Sequence, residues 1–386
     1  MAVFLDHAAT SPLRPEALAA LTEALSQVGN PSSTHSHGQA TREIHEQARD
    51  RVAKAVSCNR SEVIFCSGGT EANNQAIKGI WWSRKSPERK VIISSGLEHK
   101  ALLDPIDWLV ANEGAELVEL PNVRGVLDVD ALEQFLGERS AEVALISLMW
   151  VNNETGVITD IPRIVRIANA YDIPVHSDAV AALGKIPIDF DASGLDAMSI
   201  SGHKVGAPIG IGALIVRRDS KPVNLIHGGG QERGLRSGTM NYSLASSFGV
   251  AAELAVEQMP QTQLRLEQFR NLIEDQIKKA IPSAIVTVEA ADRVQQNAHF
   301  VFPGVNNDSL LFLLDQKGIS VSAGSACQAG VLGPSHVLMA MGFSAADAAS
   351  CLRVTLGYTT TESDVEAFIE ALIEAYPQAL AASGSR

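Results

Sequence analysis

The chain has 386 residues, 46% of them hydrophobic and 19% charged, an ordinary globular composition with length enough for more than one core. With 31 Lys and Arg against 44 Asp and Glu, its net charge of −13 argues against nucleic acid as a partner, because phosphate neutralisation needs clustered cations. No apolar stretch approaches the roughly 18 residues of a membrane span, and "MAVFLDHAAT" has no basic segment ahead of an apolar run, so neither a membrane segment nor a signal peptide is expected.

From about residue 60 to 216, short apolar runs alternate with helical patterns. "EVIFC", "KVIISS", "AELVEL", "VALISLMW", "IPVHSDA", "DAMSIS" and "GALIVR" read as strands, separated by amphipathic stretches such as "EANNQAIKGIWW" and "IPRIVRIANAYD". Alternation of this kind predicts an α/β fold with a mainly parallel, doubly wound sheet. In such sheets ligands bind at the carboxyl ends of the strands. After "GGGQERGLRSGTMNYS" one long helical segment is expected over Leu244 to Ala280, kinked at Pro260. "AIVTVE", "NAHFVFPG", "DSLLFLLDQKGISVS" and a final helix then predict a smaller α+β domain. The expected division is a large domain over 13–256 and a small one over 257–386, joined by residues 1–12.

Several polar residues fall at predicted strand ends. Asp178 closes "IPVHSD", where a buried carboxylate needs a partner: a helix start, an ion pair, or a protonated pyridine nitrogen. Lys204 follows "SISGH", either as a solvated turn residue or as a desolvated amine able to form a Schiff base. In "VIFCSGGTEANNQAIKG" Thr70 is expected to cap a helix whose free amides, with Gly69, suit a phosphate. The motif is neither GxGxxG nor a P-loop, so it does not point to a dinucleotide or ATP. His99 follows "KVIISS", and Asn152 and Asn153 follow another strand, where they either make a turn or bind a ligand. Arg353 lies within "CLRVTLG" and needs an anion, either an internal carboxylate or a substrate's. A phosphate-binding helix start, an acid, an amine, a histidine and an arginine at one sheet edge together point to pyridoxal 5'-phosphate holding an amino acid.

Cys58, Cys66, Cys327 and Cys351 are scattered, with no CxxC pair. That spacing argues against a disulfide framework or a zinc site and for reduced thiols in the cytoplasm. Cys327 differs from the other three in lying among small residues, in "VSAGSACQAGVLGPSH". Glycine and serine there predict a mobile arm with an exposed thiol.

The motifs "FLDHAATSP", "GNPSSTHSHG", "CSGGTEANNQAIKG", "EHKALLDP", "VNNETGV", "DAVAALGKIPIDF", "SISGHKVGAPIGIGAL", "GGGQERGLRSGT", "SAGSACQAG" and "PSHVLMAMG" run in order from residue 4 to about 360. In this the chain resembles the cysteine desulfurases, class V members of the fold-type I pyridoxal-phosphate enzymes, and within them the NifS- and IscS-type branch. The resemblance implies that Lys204 carries the cofactor as a Schiff base and moves the Cα proton. It further implies that Asp178 pairs with the pyridinium nitrogen and that His99 stacks on the ring and transfers protons. Gly69, Thr70, Ser201 and His203 would hold the phosphate, with Thr239 reaching in from the neighbouring subunit of a homodimer. Asn153, Arg353 and Asn30 would fix the carboxylate of L-cysteine. Cys327 would take its sulfur as a persulfide and pass it to an acceptor protein in iron–sulfur assembly or tRNA thiolation.

Two departures from the family pattern stand out. Ala181 replaces the usual glutamine that donates to the ring's phenolic oxygen, a loss of about 1–3 kcal/mol unless water substitutes. Trp150 stands where a histidine is common and is expected to narrow the pocket. The rival readings are a selenocysteine lyase, another class V aminotransferase-like enzyme, or a low-activity scaffold protein.

Overall fold

The computed structural model describes residues 2–324 and 333–383. Seven strands form the main sheet: β1 (Val63–Cys66), β2 (Val91–Ser94), β3 (Glu116–Glu119), β4 (Val143–Met149), β5 (Val175–Asp178), β6 (Ala197–Ser201) and β7 (Gly212–Val216). Their spatial order is β1-β7-β6-β5-β4-β2-β3. Only β7 runs antiparallel to its neighbours, β1 and β6; the other pairs are parallel. Each run expected as a strand from its apolar residues is a strand of this sheet, and the sheet is mainly parallel as expected.

Both faces of the sheet are covered, because successive side chains point to opposite sides. On one face Val63, Phe65, Val91, Ile93, Ala213 and Ile215 pack with Ala48 and Val52 of α1 (Ser36–Ala55) and with Phe248. On the other, Ile64, Ile92 and Leu214 meet Ile77 and Trp81 of α2 (Gly69–Arg84) and Leu102 and Ile106 of α3 (Lys100–Glu113). Phe248 belongs to α4 (Tyr242–Glu257). The helical segment expected as one kinked rod is two helices, since α5 (Met259–Ala280) starts afresh after Gln258. Pro260 lies in the first turn of α5, where its missing N–H costs nothing, so it begins a helix and does not bend one.

A second core gathers Phe300, Phe302, Leu352, Val354 and Phe368 around the antiparallel strands β8 (Ile285–Val286), β9 (Asn297–Val301) and β10 (Cys351–Thr355). "AIVTVE" supplies only two strand residues to it. Val3 and Leu5 are part of this core, and Val3–Phe4 pairs in parallel with Ile319–Ser320. The segment that follows is stitched to both units: His7 N–H donates to Thr355 O, and Ser11 N–H donates to His203 O. Residues 6 to 11 therefore cross the seam between the small sheet and the carboxyl edge of the large one.

Candidate active site

At that seam lies a cavity of about 360 Å³, within the ~300–1,000 Å³ range of small-molecule sites. Its walls include Gly69, Thr70, His99, Asn153, Asp178, Ser201, His203, Lys204 and Arg353, so one space collects residues from six separate chain segments.

The large sheet supplies most of them. Asp178 is the last residue of β5 and only 5% exposed. Its carboxylate accepts hydrogen bonds from Asn73 Nδ2 at 2.6 Å and from Val180 N–H at 2.9 Å. On the next strand, β6 ends at Ser201 and turns through Gly202–Lys204. The Ser201 hydroxyl is buried with no partner. Lys204 Nζ donates to the carbonyls of Ala8 and Ala9, the latter at 2.9 Å. Burial and the neighbouring Lys204 lower His203 to about 4, so its imidazole is neutral.

The phosphate-type cradle is the start of α2. Gly68 occupies the N-cap without any side-chain cap, and Thr70 lies inside the first turn, so the expectation that Thr70 caps this helix is corrected. Free first-turn amides suit an anion, and no capping side chain competes for them. A Cβ on Gly69 would come within 2.6 Å of Val180 Cγ2, so only glycine lets the helix start approach the turn after β5.

His99 caps α3: its Nδ1 accepts from Ala101 N–H at 3.0 Å, which leaves the ring proton on Nε2. Behind it the Glu98 carboxyl is fully buried, accepting from Ser95 Oγ and Met149 N–H, and burial pushes it up to about 8. The two asparagines divide the options left open for them. Both line the cavity, but Asn152 spends its Oδ1 on the turn, accepting from Glu154 N–H and Thr155 N–H, whereas Asn153 keeps a buried, unpartnered Oδ1.

The opposite wall comes from the N-terminal segment and the small sheet. Arg353, on β10, is 1% exposed. Its Nη2 donates to Asp6 Oδ1 at 2.9 Å and its Nη1 to Asn153 O at 3.1 Å, while Nε has no partner. The internal carboxylate considered for Arg353 is thus present, yet the guanidinium still reaches the cavity. His7 lies on the same wall, 2% exposed, with both ring nitrogens unpartnered; burial, then Lys185, lowers it to about 3.

Two of the expected residues do not line this chain's own cavity, Asn30 and Thr239, the latter expected at the neighbouring subunit's site. Asn30 is exposed, and its Oδ1 accepts from Ser32 N–H in a local turn. Thr239 lines a separate groove with His45, Phe65 and Glu232. Cys327 lies outside the described residues. The other three cysteines are disqualified as nucleophiles by burial, which pushes Cys58 and Cys66 up to about 12 and Cys351 up to about 11. Ala181 does line the cavity, but Trp150 does not narrow it: Trp150 packs in the core between two cavity-lining neighbours, Met149 and Val151. Missed from the sequence were Asn73, Lys185, His7, Asp6 and Gln296. Asn73 had a signal, because it lies one helical turn beyond Gly69 and so shares its face.

These residues suit pyridoxal phosphate. An acid for a ring nitrogen, an amine for an aldehyde, and a helix start with an unpaired Ser201 hydroxyl for a phosphate all open on one space. Residues 3–368 match the aminotransferase class-V family. A Mycobacterium tuberculosis protein named IscS-like cysteine desulfurase is 45% identical, covering 99% of each chain. The cysteine desulfurase NifS of Azotobacter vinelandii is 38% identical over 95% of this chain and 90% of its own. A NifS-like protein from Rickettsia africae superposes with a TM-score of 0.88 at 31% identity, covering 98% of this chain and all of its own. With lysine, aspartate and helix start at one strand edge and likeness to such relatives along its whole length, the chain belongs to the class-V aminotransferases and, within them, to the cysteine desulfurases.

Proposed function

We infer that the chain is a pyridoxal 5'-phosphate-dependent cysteine desulfurase that converts L-cysteine to L-alanine and leaves the sulfur as a persulfide on Cys327. The observation that carries this reading is the opening of Lys204 and Asp178, from adjacent strand ends, onto the cavity that the α2 start also lines. When bound, the cofactor supplies an electron-withdrawing ring that makes the substrate Cα proton acidic and its carbon–sulfur bond breakable.

The chain's own residues do the rest. Gly69, Thr70, Ser201 and His203 hold the phosphate, and Asp178, fixed by Asn73 and the Val180 amide, holds the ring nitrogen. The Lys204 amine takes the Cα proton and returns it, and the His99 imidazole hands on protons at Nε2. Asn153 Oδ1 and the Arg353 guanidinium orient the substrate, with Arg353 gripping its carboxylate. The Cys327 thiolate attacks the substrate sulfur; a sulfur–sulfur bond forms, the carbon–sulfur bond breaks, and the carbon takes a proton to leave as alanine.

The flanks of that cysteine support its role. Ser322 Oγ donates to Asp6, the partner of Arg353, and Ser335 Oγ donates to Glu154, next to Asn153. Cys327 is three residues from Gly324, a reach of about 10 Å. A homodimer in which Thr239 completes the neighbouring site, an acceptor protein for the persulfide in iron–sulfur assembly or tRNA thiolation, and a reducing cytoplasm complete the reading.

The test is to give the purified holoenzyme L-cysteine and a reductant and to measure sulfide and alanine. Equal amounts of both are expected, with loss of turnover to background in Lys204→Ala and loss of sulfide and persulfide in Cys327→Ser. Unimpaired sulfide release by Cys327→Ser would refute the sulfur-transfer step and leave a lyase of the selenocysteine-lyase kind, which breaks the carbon–sulfur bond without this thiol.

A further inference from the structure

The cavity holds two lysines, and the reaction above uses one. Lys185, in the turn after β5, lines both the main cavity and a smaller one of about 30 Å³ behind Lys204. Its Nζ donates to the backbone carbonyl of Lys204 at 3.4 Å. Among the described residues, Asp178 is the one carboxylate lining the large cavity, and none lines the small one. Asp178 is engaged by Asn73 and the Val180 amide.

The other groups around Lys185 are cationic or neutral. Arg14 faces it across the small cavity, with its guanidinium over the Tyr358 ring and its Nη1 on the neutral Gln258 side chain. His7 and His203, lowered to about 3 and about 4, are neutral, and Arg353 on the far wall is paired with Asp6. Ala181, on the same turn, brings no polar group, so Lys185 is the charge that this turn presents to the cavity. Burial, then Lys204 and Arg14, lowers Lys185 to about 8, which leaves it largely protonated at neutral pH.

We propose that Lys185 is a positioning residue acting through Lys204: its ammonium charge, fixed against the Lys204 backbone, keeps the Lys204 nitrogen neutral, nucleophilic towards the cofactor aldehyde and able to accept a proton. A second positive charge in a desolvated site is disfavoured beside a first, and a lysine next to another cation is activated in this way. The step is balanced without any redox partner. A bound cofactor would supply the aldehyde, and the neutral Lys204 nitrogen would condense with its carbon, the aldehyde oxygen leaving as water with the two amine hydrogens.

The proposal rests on Lys204 being the cofactor lysine, and the experiment separates the two. Borohydride reduction of the wild-type holoenzyme, followed by peptide mapping, must place the cofactor on Lys204; a label elsewhere overturns that assignment and this proposal together. The visible absorbance of the bound cofactor is then titrated against pH in wild type, Lys185→Gln and Lys185→Arg. Glutamine keeps a donor for the Lys204 carbonyl but carries no charge, so its midpoint is expected to rise by about one pH unit. Arginine keeps the charge, so its midpoint stays close to wild type. An unmoved midpoint in Lys185→Gln overturns the proposal with Lys204 still in place. Should the glutamine variant fail to fold, a one-unit rise in Lys185→Arg overturns it, because charge was retained; an unmoved midpoint there supports it.

Discussion

The two walls of the cavity are built differently. On the large-sheet wall the Asp178 carboxylate is fixed by two hydrogen bonds and His99 by its own helix cap. On the wall formed by the N-terminal segment and the small sheet, both ring nitrogens of His7, the Oε1 of Gln296 and the Nε of Arg353 are buried without partners; the sheet wall also has such atoms, in Ser201 Oγ and Asn153 Oδ1, but its acid and its histidine are held. Preorganised groups aimed at developing charge accelerate a reaction, whereas unmatched polar groups select whatever fills them. The difference favours chemistry on the first wall and substrate recognition on the second.

The sharpest way to break that division is Asp178→Asn. It should lower kcat by about 10²–10³-fold with little change in KM, measured by alanine formation with the cofactor band retained. A loss under tenfold would mean that the sheet wall is not where the rate is made. Arg353→Lys works on the other wall. A point charge cannot serve Asp6, the Asn153 carbonyl and a carboxylate together, so KM for cysteine should rise roughly 10- to 100-fold with kcat little changed. An unchanged KM would remove Arg353 from recognition.

The smallest effect concerns stability. Glu98 is raised from 4.5 to about 8, so between those values the folded chain keeps a proton that the unfolded chain has released. Wild-type stability should therefore fall as pH rises through that window. Glu98→Gln should flatten the fall, read as the Tm difference between pH 5 and pH 8. Equal slopes in the two proteins would show that Glu98 is not held protonated behind His99.

Most of the sheet wall is legible in the sequence, because buried strands are apolar runs and the polar residues ending them stand out. Asp178, Ser201 and Lys204 were found in this way, and all three line the cavity. Thr70 was misread as a cap because a threonine after two glycines looks like one, whereas the backbone turns two residues earlier, at Gly68. Trp150 follows the strand period and points away from the side that Met149 and Val151 line, a matter of one residue's parity. Lys185, His7 and Asp6 were missed because their importance comes from tertiary approach: a turn folding under Lys204, and an N-terminal segment crossing between two sheets. Asn30 and Thr239 were drawn from the resemblance alone, and the chain's own cavity includes neither.

Asp6 has a consequence for turnover. Reactant and product, cysteine and alanine, carry the same carboxylate, so a guanidinium that gripped it alone would hold on to both. With Asp6 already sharing Arg353, a carboxylate bound there would meet a half-neutralised cation, and the smaller gain on capture would help alanine to depart. If Arg353 grips the substrate as proposed, the chain's own acid would set how long spent product lingers.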